Sequence, residues 1–331
     1  MSENSKIEWC DHTFNPWEGC QKVGPGCDHC YAEARNARFG GGAAPNWGPG
    51  APRRRTSAAN WRKPLAWNAA HAEFFAAHGR RQRVFCASLA DVFDNAVDQE
   101  WRRDLFALIA STPNLNWLLL TKRIGNAGDM IVDALLQQPG LSAAAPWPWP
   151  NVWLGATIVN QEEADRDIPK LLAVPARVRF LSMEPLLGPV DLRFHIFSEP
   201  IGNWRTHEGK RQFECRRPDD GGLHWVIAGG ESGHDARPMH PDWARSLRDQ
   251  CAAAGVPFLF KQWGEWAPRT DDEQKLLPVP CSLTTSWPDG TVGCGDYQSN
   301  GGYGKPLFRV GKKVAGRLLD GRTHDEFPEG Q

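Results

Sequence analysis

A chain of 331 residues with 41% hydrophobic and 23% charged residues has ordinary globular usage, which excludes a disordered or fibrous protein. Its net charge of −1 excludes a general attraction for polyanions, so any contact with nucleic acid must come from a local patch. No apolar run reaches the length of a membrane span, and residues 1–6 lack the apolar core of a signal peptide. A soluble, cytoplasmic protein with no membrane partner is expected.

The first segment, residues 7–17, is apolar and aromatic and reads as a strand. It runs into Gly19-Cys20-Gln21-Lys22-Val23-Gly24-Pro25-Gly26-Cys27-Asp28-His29-Cys30-Tyr31, a turn-prone loop with three cysteines, and then into a helix-like run over 32–39. Three thiolates on one loop can hold three irons of a cubane cluster and leave the fourth open to a small molecule. Two other chemistries fit the same residues. A closed zinc site needs a fourth ligand, for which His29, His12 and Cys10 are candidates. A redox dithiol would use Cys27 and Cys30 and have no need of Cys20. No second Cys-x-x-Cys or His-x-x-x-His occurs to complete a paired zinc knuckle. The other cysteines, Cys10, Cys86, Cys215, Cys251, Cys281 and Cys294, are scattered and read as buried thiols.

Residues 34–72 then carry seven basic residues (Arg35, Arg38, Arg53, Arg54, Arg55, Arg62 and Lys63) and no acidic ones, with Trp47, Trp61 and Trp67 interleaved. Phosphates call for Lys and Arg, and unpaired bases stack on aromatic rings, so a nucleotide or nucleic-acid substrate is one reading. The other has the arginines on a solvated loop and the tryptophans in the core, covered by basic side chains.

Further along, apolar runs at 84–89, 116–120, 152–158, 178–181, 224–228 and 257–260 alternate with helix-like stretches such as 99–110 and 242–254. Strands alternating with helices imply a parallel sheet covered on both faces. Six or seven units favour a partial, TIM-like β/α barrel over a doubly wound sheet. Insertions are expected near 40–59, 141–150 and 194–222. The barrel is assigned to residues 1–266 and a turn-rich C-terminal extension to 267–331, with a basic helix over 312–319.

Ligands of parallel β/α proteins bind at the carboxyl ends of the strands. There the runs deliver Ser88 and Asp91, Lys122, Thr157 and Asn160, Ser182 and Glu184, Gly229-Gly230-Glu231, and Lys261. Any one of these suits a helix cap as well as a ligand contact. Taken together they predict a polar pocket at one rim.

Several motifs are shared with a known family. They are Ile7-Glu8-Trp9, Asn15-Pro16-Trp17, the cysteine loop, Ala59-Asn60-Trp61-Arg62-Lys63-Pro64, Ser88-Leu89-Ala90-Asp91-Val92-Phe93, Thr121-Lys122-Arg123, Met183-Glu184-Pro185-Leu186-Leu187-Gly188-Pro189, Gly229-Gly230-Glu231-Ser232-Gly233 and Phe260-Lys261-Gln262-Trp263-Gly264. Across nearly its whole length the chain resembles the phage-associated three-cysteine-motif family of radical S-adenosylmethionine-like proteins. Six residues separate Cys20 from Cys27, a longer interval than the usual three, and His29 takes the aromatic position.

The resemblance implies a radical S-adenosylmethionine-like partial barrel with a [4Fe-4S] cluster on Cys20, Cys27 and Cys30. S-adenosylmethionine would bind the open iron and be cleaved to a 5′-deoxyadenosyl radical. It implies Asp91 and Ser88 for the methionyl amine, and Thr157, Asn160, Ser182 and Glu184 for ribose and methionine. Apart from the resemblance, Gly229 and Gly230 let backbone amides approach a carboxylate or phosphate, or make a tight turn. Lys122, Glu231 and Lys261 would act on the substrate or move protons. An electron donor such as flavodoxin or ferredoxin is implied, and a partner protein is admitted. The rival reading is a non-catalytic, zinc-stabilised nucleic-acid-binding protein.

Overall fold

The computed structural model describes residues 4–136, 146–196, 204–207, 210–213, 222–268, 283–293 and 304–328. Cys215, Cys281 and Cys294, most of the 194–222 insertion and much of the extension lie outside them.

Seven strands form the main sheet: β1 (His12–Phe14), β2 (Gln82–Cys86), β3 (Leu115–Thr121), β4 (Val152–Thr157), β5 (Val178–Met183), β6 (Trp225–Gly229) and β7 (Phe258–Gln262). They lie side by side in the order in which they occur in the chain. The pairings of β1 with β2, β2 with β3, β3 with β4 and β6 with β7 are all parallel. Strand order decides between the two expected classes. A doubly wound sheet reverses its order at a switch point, whereas sequential order winds every crossover the same way, as a partial β/α barrel does. The sheet strands match the predicted runs because each is an apolar stretch buried on both faces. The first predicted strand is broken in two. Pro16 follows β1, and Trp17–Glu18 pairs instead with Arg54–Arg55.

The chain divides into two compact units, one built chiefly from Met1–Thr157 and Ala173–Phe180, the other from Ile158–Leu172 and Leu181–Pro328. The core of the first is aromatic. Phe14 meets Trp117 edge-on at 5.6 Å, and Trp9 lies 4.5 Å from Phe85. Gly155 in β4 makes room for Phe180, whose ring a Cβ would meet at 2.3 Å. The helices of this unit are α1 (Tyr31–Phe39), α2 (Ala58–Ala69), α3 (His71–His78), α4 (Gln99–Ser111) and α5 (Ile124–Leu136). Asp98 caps α4 through the Glu100 amide at 2.8 Å, and Ser57 caps α2.

The second unit holds α6 (Gln161–Ala173) and α7 (Pro241–Ala254). Helix α7 starts with a proline at its first position and ends at Gly255, which has φ +61°. Past residue 266 the described residues add an antiparallel sheet of Trp266–Pro268, Lys305–Arg309, Leu283–Ser286 and Val292–Gly293 that the turn-rich sequence did not announce. The expected basic helix is confined to Lys312–Ala315, because Gly316 follows with a positive φ. Residues 324–326 then return to β7. Phe260 N–H donates to the His324 carbonyl, and Leu259 bridges Asp325 antiparallel. No helix among the described residues is long and apolar enough to cross a membrane.

Candidate functional site

In the first unit the cysteine loop leaves β1 through Asn15, which is fully buried. The Asn15 side chain accepts from the Leu89 amide at 2.7 Å and donates to Ser88 Oγ at 3.0 Å, so it ties the loop to the residues that follow β2. Gly19 continues this attachment by donating its amide to the Leu89 carbonyl. Its φ is +111°, and a Cβ there would stand 2.5 Å from the Asn46 carbonyl oxygen, so both conformation and space require glycine. Cys20 is held on both backbone sides: its amide donates to Asn46 O, and its carbonyl accepts from Gly48 N.

Its thiol meets Arg123, from the turn after β3. Arg123 Nη1 lies 3.3 Å from Cys20 Sγ and 3.1 Å from Asp91 Oδ2, and Nη2 donates to the Gln21 carbonyl at 2.9 Å. Burial pushes the Cys20 thiol up to about 11. Arg123 pulls the other way, and Asp91 reinforces the rise. Burial also opposes the charge of Arg123, but Asp91, Cys20 and Asp94 outweigh it and hold the guanidinium above the ordinary arginine value.

Asp91 has its lone pairs engaged inside the protein. Thr121 Oγ1 donates at 2.7 Å, the Phe93 amide at 2.9 Å, the Lys122 amide at 3.0 Å, and Arg123 completes the set. A carboxylate so occupied organises the turn. Ser88 likewise serves Asn15. Asp94, one turn on, forms a buried pair with Arg53 at 2.8 Å. Lys122 Nζ reaches Thr157 Oγ1 at 3.3 Å, so these two predicted residues do come together.

Cys27 ends a 3₁₀ turn, Pro25–Cys27, and Cys30 is the residue before α1, with no side-chain cap of its own. Both are free thiols, as is Cys20. The set therefore has the donor chemistry of an iron–sulfur loop, with a guanidinium facing one thiol as counter-charge. Its sulfurs are not drawn to one point: among the described residues no three His, Cys, Asp or Glu side chains are gathered for a metal ion. Two candidates for a fourth zinc ligand have other partners. Cys10 bonds Ser5, and His12 stacks on Trp67 at 4.1 Å.

Four arginines of the acid-free stretch pair with carboxylates from outside it. Arg35 and Arg54 meet Glu18, Arg53 meets Asp94, and Arg55 meets Asp104 at 2.6 Å while lying over Trp61. Trp67 is buried.

The second unit has its own polar cluster, around Glu184 after β5. Lys261 Nζ lies 2.7 Å from Glu184 Oε2, and Gln262 Nε2 lies 2.8 Å from Oε1. Neighbours on a strand normally point to opposite faces. Here the register slips, with Ala228 opposite Phe260 but Gly229 opposite Gln262, so the bulge lets both side chains reach one carboxylate. Gly230 passes so close to the next backbone that a Cβ would meet Trp263 O at 1.9 Å. Glu231 is clamped by Arg237 through its amide and two guanidinium nitrogens, which fixes the turn after β6. Asn160 caps α6 by accepting from the Glu163 amide. Ser182 is buried, and its carbonyl accepts from Ile158 N.

The family described as "Protein of unknown function (DUF5131)" matches residues 4–328. The chain belongs to that family. No curated protein matches. Among solved structures, a mutant spore photoproduct lyase with bound AdoMet and dinucleoside spore photoproduct is similar at a TM-score of 0.37 and 11% identity, over 92% of this chain and 70% of that one. Another mutant of that lyase, with the dinucleoside spore photoproduct, gives 0.36 and 12% over the same shares.

Sequence reasoning missed Arg123 and Gln262, the two side chains that organise these clusters. Each stands directly after a lysine singled out at a strand end, and their place in the motifs was the available signal.

Proposed function

We propose that this protein is a radical S-adenosylmethionine-type enzyme, with Cys20, Cys27 and Cys30 holding a [4Fe-4S] cluster. The observation that carries the reading is the attachment of the cysteine loop. Three free thiols sit on the segment leaving β1, and Gly19 and Asn15 bind that segment to the residues following β2, the end of a parallel sheet where ligands bind. When bound, such a cluster with one open iron supplies one-electron cleavage of S-adenosylmethionine.

The chain's own residues hold and orient. Cys20 keeps its place through backbone bonds on both sides, and Arg123 offsets thiolate charge. Asp91 fixes Arg123 and the start of the Lys122 turn. Lys122, beside the Thr157 hydroxyl, and in the other unit Lys261 with Glu184 are the groups we assign to substrate contact and proton movement. Glu231 keeps a structural part, since Arg237 occupies its carboxylate.

The test is anaerobic reconstitution of the full chain with iron and sulfide, then metal analysis and assay of 5′-deoxyadenosine with dithionite and S-adenosylmethionine. About four irons per chain, with release of 5′-deoxyadenosine lost in C20S, C27S and C30S, is the expected result. A colourless protein holding one zinc and releasing none overturns the reading in favour of a zinc-stabilised module.

A further inference from the structure

The three cysteines are not held alike. Cys20 is fixed by its backbone to Asn46 and Gly48, and its loop is fixed to Leu89 through Gly19. Its side chain is fixed by Arg123, which is itself only 8% exposed and anchored on a carboxylate that four donors saturate. Cys27, which is buried, ends a short 3₁₀ turn and Cys30 precedes α1; their segment is tied down by Lys22 Nζ on the Asp28 carbonyl at 3.1 Å and by Tyr31 Oη on the Ser88 carbonyl at 2.5 Å, so what sets Cys20 apart is the guanidinium on its thiol.

We infer that Arg123 is a positioning residue for the metal ligand Cys20: it sets the place and direction of this one thiol at the ends of β2 and β3. This rests on the metal-binding part of the function proposed above. The chemistry favours it in two ways. A sulfur ligand retains lone pairs when it binds a metal, so an N–H···S contact from a guanidinium persists and steadies the negative charge. The guanidinium fork, moreover, bonds the Cys20 thiol and the Gln21 carbonyl at once, so it fixes the direction of the side chain as well as its charge. Lysine supplies the charge but no fork.

The test uses the metal-free full chain and cobalt(II), whose sulfur-to-metal absorption reports thiolate ligation without any turnover. In R123Q, cobalt binding is expected to weaken about ten- to a hundredfold, with R123K recovering part of the loss. Labelling with iodoacetamide, followed by mass spectrometry, supplies the second readout. In R123K the Cys20 rate rises while those of Cys27 and Cys30 stay as in the wild type. A general loosening would raise all three, and would overturn the inference. So would R123Q binding cobalt within about twofold of wild type, well short of the loss expected for an outer-shell partner. If R123Q lacks the wild-type circular dichroism, R123K and the labelling pattern decide. Wild type that binds cobalt through thiolates but assembles no iron–sulfur cluster sinks the enzyme reading and leaves the role of Arg123 standing. Wild type that binds neither overturns both.

Discussion

The Asp91 cluster in the first unit and the Glu184 cluster in the other are alike in sequence: each is a carboxylate beyond the end of a parallel strand, with a basic residue to answer it. In the structure they differ in how far the protein uses them up. Asp91 is 5% exposed in its side chain and has four internal donors, and a neighbouring buried pair, Arg53 with Asp94, stiffens the same turn. Glu184 and Lys261 are 16% and 15% exposed, and the lysine keeps N–H groups beyond its one bond. The lesson is that a carboxylate at a strand end becomes available for chemistry only where the surrounding backbone leaves it lone pairs. Asp91 and Glu231 build turns; Glu184 and Lys261 keep more contact with water.

Stability measurements can break this contrast. Asp91→Asn removes the nearest carboxylate from a buried, charged set and leaves Arg123 only Asp94, at 3.9 Å and already paired with Arg53, so urea unfolding should show a loss of about 3 kcal/mol. Equal stability of D91N and wild type would mean the network is not closed. Glu184→Gln is expected to cost about 1 kcal/mol in the same titration, because the pair it breaks retains contact with water. If E184Q loses as much as D91N, the two clusters are not different in kind.

The smallest effect sharpens the scale at its exposed end. Asp320 is held down to about 2 chiefly by a hydrogen bond from Arg245, with Arg248 adding to it and burial opposing both. Its folded-state value lies below the ordinary carboxylate value, so its contribution is present above about 4 and fades as pH falls towards about 2. Because its side chain is 38% exposed, that contribution should stay below about 1 kcal/mol. The melting temperatures of wild type and D320N should differ slightly at pH 7 and converge near pH 2. A gap that widens on acidification would reverse the sign of the linkage.

Much of the fold was legible in the chain. The parallel strands are short apolar runs punctuated by polar residues, and the break in the first strand follows Pro16. Helices α2 and α6 were harder to see, since Pro64 and Pro169 interrupt their patterns and yet lie inside them. The antiparallel strands beyond residue 266 were missed because sequence shows turns where tertiary pairing makes ladders. At the site, which residues stand at strand ends was legible; who answers whom was not. Arg123 bonds Cys20 across more than a hundred positions, and no local pattern signals such a contact. The acid-free stretch carried the same lesson, for its counter-charges, Glu18, Asp94 and Asp104, lie outside it.

The return of residues 324–326 to β7 bears on the order in which the protein can be made. Because the strands add to the sheet in chain order, each new one can dock on its predecessor as it emerges from the ribosome. The seventh strand differs: its outer backbone groups are met by the carbonyl of His324, the amide of Glu326 and a bridge at Asp325. Until that segment is synthesised, the growing sheet carries an open ladder of donors and acceptors, the kind of edge on which chains pair with one another. A nascent chain stalled between β7 and residue 324 therefore keeps that edge of an otherwise finished sheet uncovered.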